Sequence, residues 1–133
     1  MVCRILFFDC SENDKLFFEK NNFPNYEIIT FKNSLNKKYV KELSPDDLEQ
    51  TVALSVFTPS LLSAGVINEF KNLRVISTRS KSFKHIDVPS CVERNIAVVN
   101  IDFADKLKDH YLLQASIKAI TGVFCGEKEN RVV

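Results

Sequence analysis

The feature that most restricts this chain is the alternation of short apolar runs with segments of helical spacing. "CRILFFD" is continuous and apolar and is closed by Asp9, the pattern of a strand covered on both faces in a parallel sheet. Arg4 to Phe8 is therefore read as the first strand. In "CSENDKLFFEKNNF", Ser11 stands as a helix N-cap with Asp14 three residues on, and an Asn pair ends the helix. "NYEIITF" reads as a second strand, and "SPDDLEQ" as a short helix opened by Ser44 with Pro45 in its first turn. "VALSVF" is a third strand, and "TPSLLSAGVINEF" a third helix, with Leu61, Leu62, Val66 and Ile67 at helical spacing. "LRVIST" gives a fourth strand, Pro89 to Arg94 a helical turn, and "NIAVVN" a fifth strand. "DKLKDHYLLQASIKAITGVFCG" then reads as a long amphipathic helix. Its Leu113, Ile117, Ile120 and Phe124 are spaced 4, 3 and 4 apart, and Gly126 stands at its end.

Strands and helices in alternation with short connections predict a doubly wound α/β sheet with helices on both faces and right-handed crossovers. The expected architecture is flavodoxin-like, five parallel strands in the order 2-1-3-4-5. A length of 133 residues suits one domain over 1–133. Apolar residues make up 45% and charged residues 26%, with a net charge of +1. That balance gives no electrostatic case for nucleic acid. "MVCRILFFDC" turns polar too soon for a signal peptide or a membrane span, so the cytoplasm is the expected compartment. Cys3, Cys10, Cys91 and Cys125 form no C-x-x-C pair, which argues against zinc and for reduced thiols.

Ligands of such sheets bind beyond the carboxyl ends of the strands. The first loop, Asp9 to Glu12, is acidic, which opposes a flavin phosphate. A phosphorelay receiver needs an Asp where the third strand ends in Phe57, Thr58 and Pro59. A dinucleotide cradle needs clustered glycines, and Gly65, Gly122 and Gly126 lie in no strand-to-helix turn. No G-x-S-x-G elbow occurs, and neither His85 nor His110 has a marked nucleophile partner.

The run "NLRVISTRSKSFKHIDVPSCVERNIAVVN", Asn72 to Asn100, resembles the substrate-domain signature of the D-isomer-specific 2-hydroxyacid dehydrogenases, nearest the D-lactate dehydrogenase branch. There a strand is followed by "TRSxGFDHID", a short helix and a "GIAVVN" strand. "SVFTPS" and "VINEFKNL" are similar too, so the resemblance covers about the first hundred residues. It implies a two-domain enzyme that interconverts D-2-hydroxy acids and 2-oxo acids, with an inserted Rossmann domain that binds NAD and supplies the catalytic Arg, Glu and His. After "NIAVVN" this chain goes directly to a segment that looks like the family's final helix and tail, residues 101–133. In a second alignment Asp109 and His110 match the Glu-His of the helix leading into the NAD domain. Under both, the catalytic residues have no counterpart and the chain itself binds no cofactor.

The resemblance implies substrate-carboxylate contacts at Thr58, Pro59 and Ser60 and at Ser80, Lys81, Ser82 and Phe83. Ser82 replaces a family glycine and resists close approach of the backbone, whereas Lys81 and Lys84 add positive charge. Asp87 is expected to cap the following helix, and His85 to be held by a local hydrogen bond. Three functions follow from these readings. The chain is an isolated substrate domain without catalysis of its own, a small-carboxylate binding module, or an interaction protein that self-associates or docks a partner through the face left by the NAD domain.

Overall fold

A computed structural model describes residues 3–101, 111–126 and 132–133. Among these, β1 (Cys3–Phe7), β2 (Tyr26–Thr30), β3 (Thr51–Val56), β4 (Val75–Thr78) and β5 (Ala97–Asn100) form one parallel sheet in the order β2-β1-β3-β4-β5. The helices are α1 (Glu12–Lys20), α2 (Pro45–Gln50), α3 (Ala64–Ile67), α4 (Val88–Glu93) and α5 (Tyr111–Phe124), with a 3-10 turn at Tyr39–Glu42. The expected order and class hold.

Side chains alternate across each strand, so both faces of the sheet are apolar. Leu6, Leu54, Val56, Ile76 and Val98 pack with Leu62, Ile67, Phe70 and Cys91 on one face. Ile5, Phe7, Ala53, Val75 and Val99 pack with Phe17 of α1 and Leu113, Ile117 and Ile120 of α5 on the other. The end of the chain covers the outer edge of β5. Val132 N–H donates to Val98 O at 2.6 Å, and Val98 N–H to Val133 O at 3.4 Å. An edge paired in this way no longer offers a row of free amides and carbonyls.

Local chemistry explains the helix starts. Ser11 and Asp14 form a capping box on α1, with bonds of 3.1 and 2.9 Å. Ser44 caps α2 ahead of Pro45, and Asp87 caps α4 by accepting from Ser90 N–H at 3.2 Å, as expected. Gly126 closes α5 with φ at +85°, a conformation that a side chain resists.

The long third helix is not formed. Pro59 sits in a turn closed by Ser60 N–H to Phe57 O at 3.0 Å, and Leu62 forms a parallel bridge with Ile86. Leu62 N–H donates to His85 O at 2.8 Å, and Asp87 N–H to Leu62 O at 2.9 Å. These bonds draw the backbone of 60–62 out straight, and helical dihedrals begin only at Ala64. The helical spacing of Leu61 and Leu62 is coincidental: Leu62 is fully buried and Leu61 exposed. Strand β1 begins and ends one residue earlier than expected. The start of the last helix, with Asp109 and His110, lies outside the described residues.

Candidate functional site: the loops at the carboxyl ends of the strands

The connections from β1 and β3 leave toward opposite edges of the sheet, so the crevice between their carboxyl ends is the switch point. It is bordered by the segment after β1, the loop after β3 from Phe57, and the loop after β4 from Arg79. The bridge between Leu62 and Ile86 joins the last two into one surface.

Thr58 and Pro59 are exposed at the tip of the β3 loop, and Ser60 is fully buried beneath them. The Ser60 hydroxyl accepts from Leu35 N–H at 2.9 Å and donates to Asp9 Oδ2 at 2.6 Å. Phe57 N–H donates to the same carboxylate oxygen at 3.0 Å, and the Ser34 hydroxyl donates to Oδ1. The polar groups of Ser60 and the Phe57 amide are therefore committed to other groups of the protein itself.

The β4 loop is differently disposed. Ser80 is buried, while Lys81, Ser82, Phe83 and Lys84 are exposed. The Ser80 hydroxyl donates to Ser82 O at 2.7 Å and meets Thr78 Oγ1 at 2.6 Å, and Thr78 Oγ1 meets His85 Nε2 at 2.9 Å. With the Ser80 proton on Ser82 O, Thr78 donates to Ser80, and His85 Nε2–H donates to Thr78. This chain of donors fixes the turn from below. Asn100 Nδ2 holds Lys81 O at 3.0 Å from the side. Burial pushes the His85 pKa below its ordinary 6.5, against a smaller upward pull from Asp9. Ser82 keeps a negative φ, since among the described residues only Asp9, Asn95 and Gly126 have positive φ. The serine thus fits the turn without left-handed backbone. The amides of Lys81 and Ser82 donate to no acceptor among the described residues.

The structure separates the candidate residues into two groups. Ser60 and Ser80 are internal scaffold. Thr58, Pro59, Lys81, Ser82 and Phe83 reach solvent. Arg79 was not among the expected residues. It is 4% exposed and lies 5.6 Å over the Phe7 ring, and its guanidinium donates to Ser55 Oγ at 2.7 Å, to Phe8 O, and to Asp9 O at 3.4 Å. It forms no ion pair with a carboxylate among the described residues, and burial lowers its pKa. Asp9, read from the sequence as the residue closing a strand, receives hydrogen bonds from two segments distant in sequence. An Asp directly after a buried strand, with serines in the loops beyond neighbouring strands, is the pattern that marks it.

The described loops lack the glycines of a pyrophosphate cradle. Gly65 lies in α3, Gly122 in α5 and Gly126 at its end. Among the described residues, these positions do not make the glycine turn of a pyrophosphate cradle. Among the described residues no group of His, Cys, Asp and Glu is placed to hold a metal, and no helix is long and apolar enough to cross a membrane.

Comparison with curated proteins finds no match. Among solved structures, the chain is similar to D-lactate dehydrogenase from Aquifex aeolicus complexed with NAD and lactic acid, at 23% identity and TM-score 0.62 over 73% of this chain and 27% of that one. The apo-structure of D-lactate dehydrogenase from Escherichia coli matches at 19% identity and TM-score 0.63, covering 90% and 37%. A D-lactate dehydrogenase from Treponema pallidum matches at 19% and 0.65, covering 93% and 40%. At these identities the likeness establishes the fold, and the chain spans well under half the length of each. The sequence model for the D-isomer specific 2-hydroxyacid dehydrogenase catalytic domain matches residues 5–107, from β1 past the end of β5. That match takes in most of β1, all of β2 to β5 and both exposed loops, and on it the chain belongs to the D-isomer specific 2-hydroxyacid dehydrogenase family.

Proposed function

We propose that residues 1–133 are a substrate domain of a D-2-hydroxyacid dehydrogenase, and that the β4 loop binds the carboxylate of a small 2-oxo or 2-hydroxy acid. The supporting observation is the pair of amides at Lys81 and Ser82. Both residues are exposed and their amides have no acceptor among the described residues, on a turn fixed by Ser80, Thr78, His85 and Asn100. Lys81 and Lys84 supply positive charge beside them. Two amides on a rigid turn bind an oxyanion with little ordering cost. Thr58 and Pro59 are exposed on the neighbouring β3 loop, and Phe83 offers exposed apolar surface.

Hydride transfer needs a positioned nicotinamide, and the described loops have no cradle for one. NAD is accordingly assigned to a Rossmann domain outside these residues, and the domain alone binds without turnover. Amide resonances of the labelled chain, followed during titration with pyruvate and D-lactate, test the reading. Saturable shifts at Lys81 and Ser82 are expected, and their absence at tens of millimolar ligand would overturn it. In a parallel assay NADH with pyruvate is expected to show no loss of absorbance at 340 nm above a blank.

A second reading, docking of another protein surface, is favoured by Phe57, Leu61 and Phe83. They are 38%, 59% and 40% exposed, all on loops at the carboxyl edge of the sheet. Sedimentation across a wide concentration range tests self-association there, and a strict monomer opposes it.

A further inference from the structure

Asp9 has φ at 59°, a left-handed backbone that a non-glycine residue adopts only when its surroundings hold it there. Here its N–H donates to Asn33 O at 3.0 Å, and its carbonyl accepts from Arg79 at 3.4 Å. Its carboxylate takes the Phe57 amide and the Ser34 and Ser60 hydroxyls. Phe57 and Ser60 belong to the loop after β3, and Ser34 to the segment after β2. Two stretches separated by the whole of α2 and β3 thus converge on one carboxylate at the switch point, where folds of this kind receive ligands.

These donors form the kind of set that binds a free carboxylate: a backbone N–H and two hydroxyls arranged around one small group. Ser60 is fully buried and its orientation is fixed by Leu35 N–H. The hydroxyl's proton therefore stays directed at the carboxylate. The geometry points to Asp9 as a tethered carboxylate that fills an anion receptor made by Phe57, Ser60 and Ser34. While Asp9 is in place, these donors are closed to free carboxylates by occupancy. A ligand carboxylate is left the amides of the β4 loop. Asp9 is in this sense a specificity-determining residue, although it touches no ligand itself.

Asp9→Gly deletes the tether and keeps the left-handed backbone accessible. In that variant, sodium formate is expected to bind the vacated receptor. The Phe57 amide resonance would shift saturably toward its wild-type position and the melting temperature would rise, with sodium chloride of equal concentration giving neither effect. Adding Ser60→Ala to Asp9→Gly is expected to abolish the response. In the wild type, formate leaves Phe57 unmoved. Because formate is read at Phe57, the result is independent of whether pyruvate moves Lys81 and Ser82. A folded Asp9→Gly chain whose Phe57 amide ignores molar formate overturns the inference, as does a wild-type Phe57 that responds equally. If Asp9→Gly does not fold, Asp9→Asn gives the decision. It retains shape and loses charge, so the Phe57 amide moves upfield if its acceptor was the carboxylate, and an unchanged resonance refutes the assignment.

Discussion

Ser60→Ala isolates the network that holds the β3 loop. The hydroxyl is fully buried and makes two bonds, accepting from Leu35 N–H at 2.9 Å and donating to Asp9 at 2.6 Å. Removing it leaves a buried amide without its acceptor, at a cost of about 1–3 kcal/mol. It also removes a hydrogen bond to a carboxylate, worth roughly 1.5–3 kcal/mol. Asp9 keeps the Phe57 and Ser34 donors and is only half-buried, so water replaces part of the second term. The expected loss is therefore about 3 kcal/mol, near the lower end of the summed range. With a urea dependence of about 2 kcal/mol/M for a domain of this size, the midpoint should fall by about 1.5 M. Thr58→Ala, two residues away and exposed, serves as control and should stay within about 0.5 kcal/mol of wild type. If Ser60→Ala shifts the midpoint no further than Thr58→Ala, the bonds through Ser60 do not hold the loop. The network around Asp9 would then be incidental.

Stability should rise with pH toward 6.5. His85 has a folded pKa below its ordinary 6.5 because burial opposes its charged form, so between those values the unfolded chain binds more protons than the folded one. This contribution is complete above 6.5 and is lost as pH falls; His85→Gln should flatten that part of the urea midpoint-versus-pH curve. Burial pushes the Cys10 and Cys91 thiols up to about 11. At pH 8 roughly one in a thousand of each is thiolate, against about one in four for an ordinary thiol. Timed labelling with iodoacetamide and peptide mapping should find exposed Cys125 modified well before either. Gly126→Ala meets open space but must adopt φ near +85°, so a loss of about 1 kcal/mol from backbone strain alone is expected in thermal melts.

What was legible in the sequence follows from which forces act locally. The strands of a parallel sheet are buried on both faces, so "CRILFF", "VALSVF" and "IAVV" announce themselves by continuous apolarity, and alternation with right-handed crossovers leaves few orders, of which 2-1-3-4-5 is one. Helix caps at Ser11, Ser44 and Asp87 were equally readable, because a cap is a contact between residues three apart. The segment from Thr58 to Ser63 was misread for the opposite reason. Its conformation is decided by Ile86 and His85, which lie more than twenty residues away and pull Leu62 into a bridge. The partners of Asp9 and Arg79 went unread on the same ground, although the position of Asp9 directly after a buried strand was a signal. A carboxylate reaching Ser34, Phe57 and Ser60, and a guanidinium reaching Phe8 and Ser55, are products of strand order. The family resemblance pointed to the β4 loop as a candidate, but it did not separate exposed Lys81 and Ser82 from the buried Ser80 that supports them.

The same separation bears on how strongly such a domain could hold a ligand. At the β4 loop the charges of Lys81 and Lys84 are exposed. A carboxylate about 4 Å from one of them gains some 4 kcal/mol of Coulomb energy at a surface-like dielectric. Desolvation and side-chain ordering return most of that, and exposed ion pairs keep about 0–1 kcal/mol. Two amides add roughly 1.5–3 kcal/mol each as bonds to a charged acceptor, from which the cost of immobilising the ligand is subtracted. Set against the roughly 4 kcal/mol that a millimolar dissociation constant represents, these gains leave no surplus, so binding no tighter than about a millimolar is expected of the domain alone. Stronger binding needs water excluded from above the loop, which on the proposed reading is the task of the NAD domain. Affinity measured on the chain alone should therefore fall with salt, because its charged part is screened over about 10 Å at 0.1 M ionic strength. Affinity that is tight and insensitive to salt would mean that the loop is already covered, and would contradict the exposure of Lys81 to Lys84 on which the assignment rests.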